Sequence, residues 1–325
     1  MNPLSNSTQI MKITLPTPFP VGDVNVYLIK GERLTLIDTG AKTKESWHSF
    51  TQQLKSYGFT FKDIEQIIIT HHHPDHVGML DYFDRELPIY GHPFTQPWLN
   101  KDPQFMQNQT NFFNRLFLKF GLDDVFFPYI RTINEPLKFS CNRELKYFIR
   151  EGMTIDGLPG WIVLETPGHA QSHIVLYHEK SGVLIGGDLL LKDISPNPLL
   201  EPPMVKDMID RPKPQLQLNR SLTRLLDLPL STVYPGHGEM ITEAHHLITY
   251  RLKKQRERAE IVRGFLENKP MTAFDVCKTL FPTIYVKQLM LTISETVGQL
   301  DYLDEIGQIK IDETKETHLY YAAER

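Results

Sequence analysis

Cysteine is nearly absent from this 325-residue chain, which has only Cys141 and Cys277. Two thiols cannot build a disulfide framework or a Cys-rich metal knuckle, and they suit a reducing compartment, so a cytoplasmic location is expected. Long apolar runs are also missing. No stretch approaches the roughly 18 residues of a membrane span, and the first 19 residues lack the apolar core of an export signal. Nor is there an excess of one charge: 35 Lys and Arg stand against 39 Asp and Glu, for a net charge of −4. Whole-molecule attraction to nucleic acid or anionic lipid is thereby excluded, although a local patch is not. What remains, 41% hydrophobic and 23% charged residues, describes an ordinary soluble globular protein, and the length suggests about two domains.

Short β-rich runs at 24–29 and 34–37 are separated by Lys30-Gly31-Glu32-Arg33, a hairpin signal. Trp47, Phe50, Leu54 and Tyr57 then fall at helical spacing before Gly58, and Ile64, Ile67, Ile68 and Ile69 predict a buried strand. Between about 93 and 140 the composition turns aromatic, and eight of the 18 phenylalanines lie in 94–127. Phe113, Leu116, Phe117 and Phe120 are helix-spaced, which predicts an inserted helical element packed on the core, with a face that could line a substrate pocket. Strands are expected at 161–164, 174–177, 183–185 and 232–234, and a helix is expected over the leucines from Leu216 to Leu226. The six prolines of 194–214 mark a loop. From about 251 to the end, three helices and a hairpin follow in the order of a winged helix-turn-helix, so a catalytic unit over 1–250 and a small domain over 251–325 are predicted.

The densest chemical signal is Thr70-His71-His72-His73-Pro74-Asp75-His76 at the end of the apolar strand. Alternation along an extended chain points His71 and His73 to one side and His72 to the other. Asp75 and His76, beyond the Pro74 bend, can face the same space, which gives ligands for one or two borderline metals. Thr166-Pro167-Gly168-His169, Gly186-Gly187-Asp188 and Tyr234-Pro235-Gly236-His237-Gly238 each follow an apolar run and leave one His or Asp at a strand end. A single Pro-Gly-His is an ordinary turn. Four such strand ends in one chain point to a metal centre.

With these residues in place, about residues 10–245 resemble the metallo-β-lactamase-fold hydrolases. The His-x-His-x-Asp-His motif is His71, His73, Asp75 and His76. His169, Asp188 and His237 match the later ligands in order, and Leu36-Ile37-Asp38-Thr39-Gly40 matches the strand-end aspartate. The resemblance implies a four-layer αββα sandwich with the metals at one edge. It implies one ion on His71, His73 and His169, a second on Asp75, His76 and His237, and Asp188 bridging both. Asp38 would accept a hydrogen bond from a ligand imidazole. Zinc is the expected metal, with iron or manganese as alternatives, because His/Asp sites do not choose sharply among them. A hydroxide shared by two ions about 3.5–4 Å apart would be the nucleophile, with Asp75 and Asp188 as the catalytic carboxylates. The best-known β-lactamases place a cysteine where this chain has Asp188, which tells against antibiotic hydrolysis.

The site alone does not choose the bond. The Thr-Pro-Gly-His and Gly-Gly-Asp segments resemble those of glyoxalase II-type thioesterases and ester- or lactone-cleaving relatives, and an aromatic insert suits a small acyl substrate. The alternative is a phosphodiesterase acting on single-stranded RNA, since lactamase-like endoribonucleases also carry a C-terminal winged helix. DNA is not expected, because the helix over 283–306 carries Lys287 against Glu295, Asp301, Asp304 and Glu305. The basic cluster Arg251, Lys253, Lys254, Arg256 and Arg258 reads first as a solvated helix face. The winged helix is expected to pack on the catalytic unit or on a second copy in a homodimer. His173 is expected to support the site rather than ligate. His245 and His246 are expected to face solvent, and Tyr129, Lys192 and Asn197 lie in segments that could touch substrate.

Overall fold

The computed structural model describes residues 9–205 and 210–324. Residues 1–8, within the segment read as lacking an export signal, and 206–209, within the Pro-rich loop, lie outside the described residues.

Two sheets form the centre. The first holds β1 (Gln9–Leu15), β2 (Val24–Lys30), β3 (Leu34–Ile37), β4 (Gln66–Ile69), β5 (Ile89–Gly91) and β6 (Tyr147–Phe148) in that order. The second holds β7 (Thr154–Ile155), β8 (Leu158–Glu165), β9 (Ile174–His178), β10 (Val183–Gly187) and β11 (Thr232–Pro235). The period of two decides which side chains meet where. Ile68 packs between the sheets with Ile37, Trp161, Val163, Leu176 and Ile185. Its neighbours Ile67 and Ile69 face outward, where α1 (Lys44–Ser56) lays Phe50 and Leu54 on them. Thr43 caps α1 by accepting from Ser46 N at 3.0 Å. One turn, α2 (Pro74–Val77), follows β4, and α3 (Gln96–Leu99) and α4 (Pro103–Phe120) follow β5. On the outer face of the second sheet, α5 (Pro214–Leu225) buries Leu218, Leu222 and Leu225 against Val175, Leu184 and Val233. Helices, sheet, sheet and helices make four layers, a mixed α/β architecture.

Strand direction then fixes where the loops gather. β3 and β4 are parallel, β10 and β11 are parallel, and β8 and β10 both run antiparallel to β9. The segments after β3, β4, β8, β10 and β11 therefore leave at one edge. Cross-sheet bonds close that edge: Tyr27 Oη donates to Pro235 O at 2.7 Å, and Ile174 N donates to Thr70 O at 2.9 Å.

The aromatic helix α4 is longer than its phenylalanine spacing predicts. Asp102 caps it by accepting from Phe105 N at 2.7 Å, and Gly121 ends it in the left-handed region at φ +70°. Its buried face meets α6 (Ala244–Leu266), α7 (Ala273–Leu280), α8 (Leu289–Glu305) and the hairpin of β12 (Ile309–Asp312) and β13 (Leu319–Ala322). Phe113, Phe117 and Phe120 share one core with Val262, Leu266, Phe274, Val297 and Tyr320. The insert thus packs mainly on the C-terminal helices, and these rings are spent there. The division expected at 250 falls inside α6, which runs unbroken through it. Among the described residues, no helix is long and apolar enough to cross a membrane.

Candidate metal centre

The edge where those strands end collects His71, His73, Asp75, His76, His169, Asp188 and His237. They form overlapping groups whose ligand atoms lie within 4.8 Å of one another: His71, His73 and His169; His71, His76 and Asp188; and Asp75, His76 and His237. His73 Nδ1 lies 2.9 Å from His71 Nε2 and 3.0 Å from His169 Nε2. Asp188 reaches the other side, with Oδ2 3.4 Å from both His169 Nε2 and His237 Nε2, and Oδ1 3.5 Å from His76 Nε2. Asp75 Oδ2 is 3.4 Å from His237 Nε2.

Hydrogen bonds on the far side of each ring decide which nitrogens face inward with a lone pair. His169 Nδ1 donates to Asn197 O at 2.9 Å, and His237 Nδ1 donates to Asp23 O at 2.7 Å. A carbonyl only accepts, so Nε2 is the unprotonated nitrogen of neutral His169, and it is the nitrogen of His237 that a cation would take in place of a proton. His76 Nδ1 donates to Asp38 Oδ2 at 2.8 Å. Thr70 Oγ1 gives its proton to Asp38 Oδ2 at 2.8 Å and can then only accept from His71 Nδ1 at 3.0 Å. Asp38 thereby orients two imidazoles, one directly and one through Thr70. It does so from φ +59°, a left-handed backbone that aspartate tolerates better than most residues.

Charge separates the two halves. Burial, followed by the other imidazoles nearby, holds His71 and His73 well below the usual histidine range, and burial likewise lowers His169. Burial opposes a charge on His76 and His237 too. There the carboxylates outweigh it, Asp188 foremost, so that His76 lies well above its usual value and His237 is pushed up to about 10. Burial would also raise Asp188, but His237 and His76 outweigh it and hold its carboxyl well below its usual value.

His76 Nε2, His237 Nε2 and Asp188 Oδ1 are buried without a hydrogen-bond partner. Three converging orphans are costly unless a cation satisfies them. Separations of 3.4–3.5 Å are those of donor atoms sharing one ion at about 2.0–2.2 Å each. The residues present therefore fit divalent metal. The glycines keep the room open: a Cβ on Gly236 would collide with Asp188 Oδ1, and one on Gly187 would lie 2.8 Å from His173 Nε2.

Two supporting residues stand beside the ligand set. His173 Nε2 accepts from Asp188 N at 3.0 Å while Nδ1 pairs with Thr166 Oγ1 at 2.8 Å, and burial pushes His173 down to about 3, so it stays neutral. Glu201 is the residue that sequence reasoning misses. It is buried, with Oε1 3.3 Å from His72 Nε2, and burial pushes it up to about 7. Its one sequence signal is a lone carboxylate among the apolar and proline residues of 196–205. His72 is stacked on Trp98 at 4.2 Å, its ring 4.8 Å from that of His73, and with His73 and Glu201 it makes a further group whose ligand atoms lie within 4.8 Å of one another. Tyr129 packs against the core around α4, Lys192 is exposed, and His245 Nε2 donates to Leu228 O on the surface, so none of the three joins the centre.

Residues 19–237 match the family model of the metallo-beta-lactamase superfamily. Over 295 residues the chain is 50% identical to a probable metallo-hydrolase, YqjP, of Bacillus subtilis strain 168, covering 91% of this chain and 92% of that one. A beta-lactamase-like protein 2 homolog of Drosophila melanogaster is 25% identical over 315 residues, 94% of this chain and 90% of its own. A solved metallo-beta-lactamase family protein from Thermus thermophilus superposes with a TM-score of 0.80 at 27% identity, covering 97% of this chain and 98% of that one.

Proposed function

The chain belongs to the metallo-β-lactamase superfamily and is a metal-dependent hydrolase, and from that premise we propose a two-ion centre, zinc first, acting on a thioester, ester or lactone of a small acyl compound. One position is held by His71, His73 and His169, the other by Asp75, His76 and His237, with Asp188 shared. The observation that carries the two-ion reading is the convergence of the orphaned His76 Nε2, His237 Nε2 and Asp188 Oδ1 beside a second, separate trio of imidazole nitrogens.

Divalent ions bound there supply Lewis acidity and bring the pKa of a coordinated water toward about 7. Neutral His71, His73 and His169 hold cations without cancelling their charge. Asp75 is the carboxylate placed to take the proton of the attacking water as its oxygen adds to the acyl carbon. The C–S or C–O bond then breaks: a thiolate leaves without needing a general acid, and an alkoxide takes the proton that Asp75 removed from the water.

One observation favours an acyl substrate over RNA. The basic cluster of α6 is largely spoken for: Arg251 donates to Leu191 O, Lys192 O and Ile194 O, Arg258 pairs with Glu295 at 2.7 Å, and Lys254 pairs with Glu257 at 2.8 Å. We read α6–α8 with the hairpin as a winged helix used for packing, because most of α8 is buried and its charge is acidic.

The test is to assay metal-loaded protein and Asp188→Ala side by side on acyl thioesters, aryl esters or lactones, and single-stranded RNA. Ester or thioester turnover that vanishes in the variant is expected. RNA cleavage lost in the variant, with esters untouched, would overturn the substrate class.

A further inference from the structure

We infer that the loop 197–201, tethered to α8, positions the three-imidazole half of the centre, so that this tether governs the first metal position and leaves the second alone. This rests on the two-ion reading above.

The loop touches both segments that supply the first position. Asn197 O takes the proton of His169 Nδ1 at 2.9 Å, which sets the ring's tautomer and angle. Four residues on, Glu201 Oε2 accepts from Gln171 N at 2.9 Å, two residues past His169. Its other oxygen lies 3.3 Å from His72 Nε2, and His72 sits between His71 and His73. One short segment therefore touches both the His71–His73 turn and the His169 turn, and it backs the direct bond between them from His72 Nδ1 to Ser172 Oγ at 2.9 Å.

The loop in turn depends on α8. Asn197 Nδ2 donates to Leu291 O at 3.1 Å, and Leu200 N donates to the buried Ser294 Oγ at 3.1 Å. Leu291 and Ser294 are three residues apart and share one face of the helix. The second position is held differently. His76 is oriented by Asp38 after β3, and His237 by Asp23 O before β2, both in the N-terminal part of the chain. Loosening the α8 tether should therefore disturb one half only.

The metal-free full-length chain is titrated with Co(II), following heat and the visible ligand-field bands, for the wild type and for Asn197→Ala/Ser294→Ala. Two equivalents are expected in the wild type. In the double variant one of them should bind about 10–100-fold more weakly, with an altered band, and the other should be unchanged. Glu201→Ala should behave the same way, and Glu201→Gln, which keeps an oxygen for Gln171 N, should recover most of the loss. In a His237→Ala background the double variant should weaken the remaining, first-position ion. Ser294→Ala alone, checked by thermal unfolding, removes one hydrogen bond without adding volume and guards against a folding defect. Two equivalents with unchanged affinities and bands in every variant, or equal weakening of both, would overturn the inference. A wild type that takes up one equivalent would instead overturn the two-ion reading.

Discussion

Asp38 Oδ2 receives the Nδ1 proton of His76 at 2.8 Å, while Asp38 Oδ1 accepts from Thr70 N at 2.8 Å. One carboxylate after β3 thus fixes a ring beyond the end of β4 and the backbone just before His71. Asp38→Asn should lower metal affinity about 10–100-fold, because the imidazole loses its anionic partner. Asparagine still tolerates the φ of +59°, whereas Asp38→Ala should lose a further 1–2 kcal/mol or so of stability from backbone strain. Metal titration and thermal unfolding of the two variants separate these effects. Equal stability of both would refute the strain argument.

Gly236 leaves the space that Asp188 occupies. A methyl there would collide with Asp188 Oδ1 and approach His76 Cε1 to 2.9 Å. Gly236→Ala should therefore lose bound metal and at least about a thousandfold in activity, a loss of several kcal/mol in transition-state stabilisation. Metal analysis and kcat measure both quantities, and full metal content with normal kcat would show that Asp188 can move without consequence.

Glu201 gives stability a pH dependence of definite sign. Burial raises its pKa from 4.5 to about 7, so between those values the folded chain keeps a proton that the unfolded chain has released. Stability therefore falls as pH rises through that window, by up to about 3 kcal/mol for the fully shifted group. Urea unfolding of metal-free protein at pH 5 and pH 8 should show the slope, and Glu201→Gln should flatten it. An unchanged slope in the variant would assign it to other groups.

Cutting the chain after Tyr250 interrupts α6 and removes the partners of Phe113, Phe117 and Phe120. Within the whole chain, Phe117→Ala should cost about 3–5 kcal/mol, as a buried ring in a packed cluster does. The truncated chain should aggregate or lose α4 helicity, read by size exclusion and circular dichroism. A folded, active monomer ending at Tyr250 would show that the insert does not need the C-terminal helices.

How much of this is legible depends on how local each signal is. A short continuous run of β-branched residues makes β4 readable from Ile67, Ile68 and Ile69, and the histidines that follow it need only their order along the chain to suggest a metal. The strands before His169, Asp188 and His237 are readable for the same reason. β1 is missed although Met11, Ile13 and Leu15 alternate with Lys12 and Thr14, the local period of a half-buried strand, and its pairing with β2 makes it plain. The start of α4 at Pro103 is hidden because its first turns are mostly polar, with Phe105 and Met106 the apolar exceptions before Phe112, and lack the apolar period that marks 113–120. What covers the aromatic face of α4, and what Glu201 touches, cannot be local properties. Phe117 meets Phe274 within one cluster although the two are far apart in sequence, and Glu201 comes to lie 3.3 Å from His72 only once α8 holds its loop against the strand ends. Residue order determined the ligand set that the sequence offers. Burial and long-range packing, which depend on the whole chain folding around its two sheets, decided which atoms converge, which are left without partners, and what holds them there.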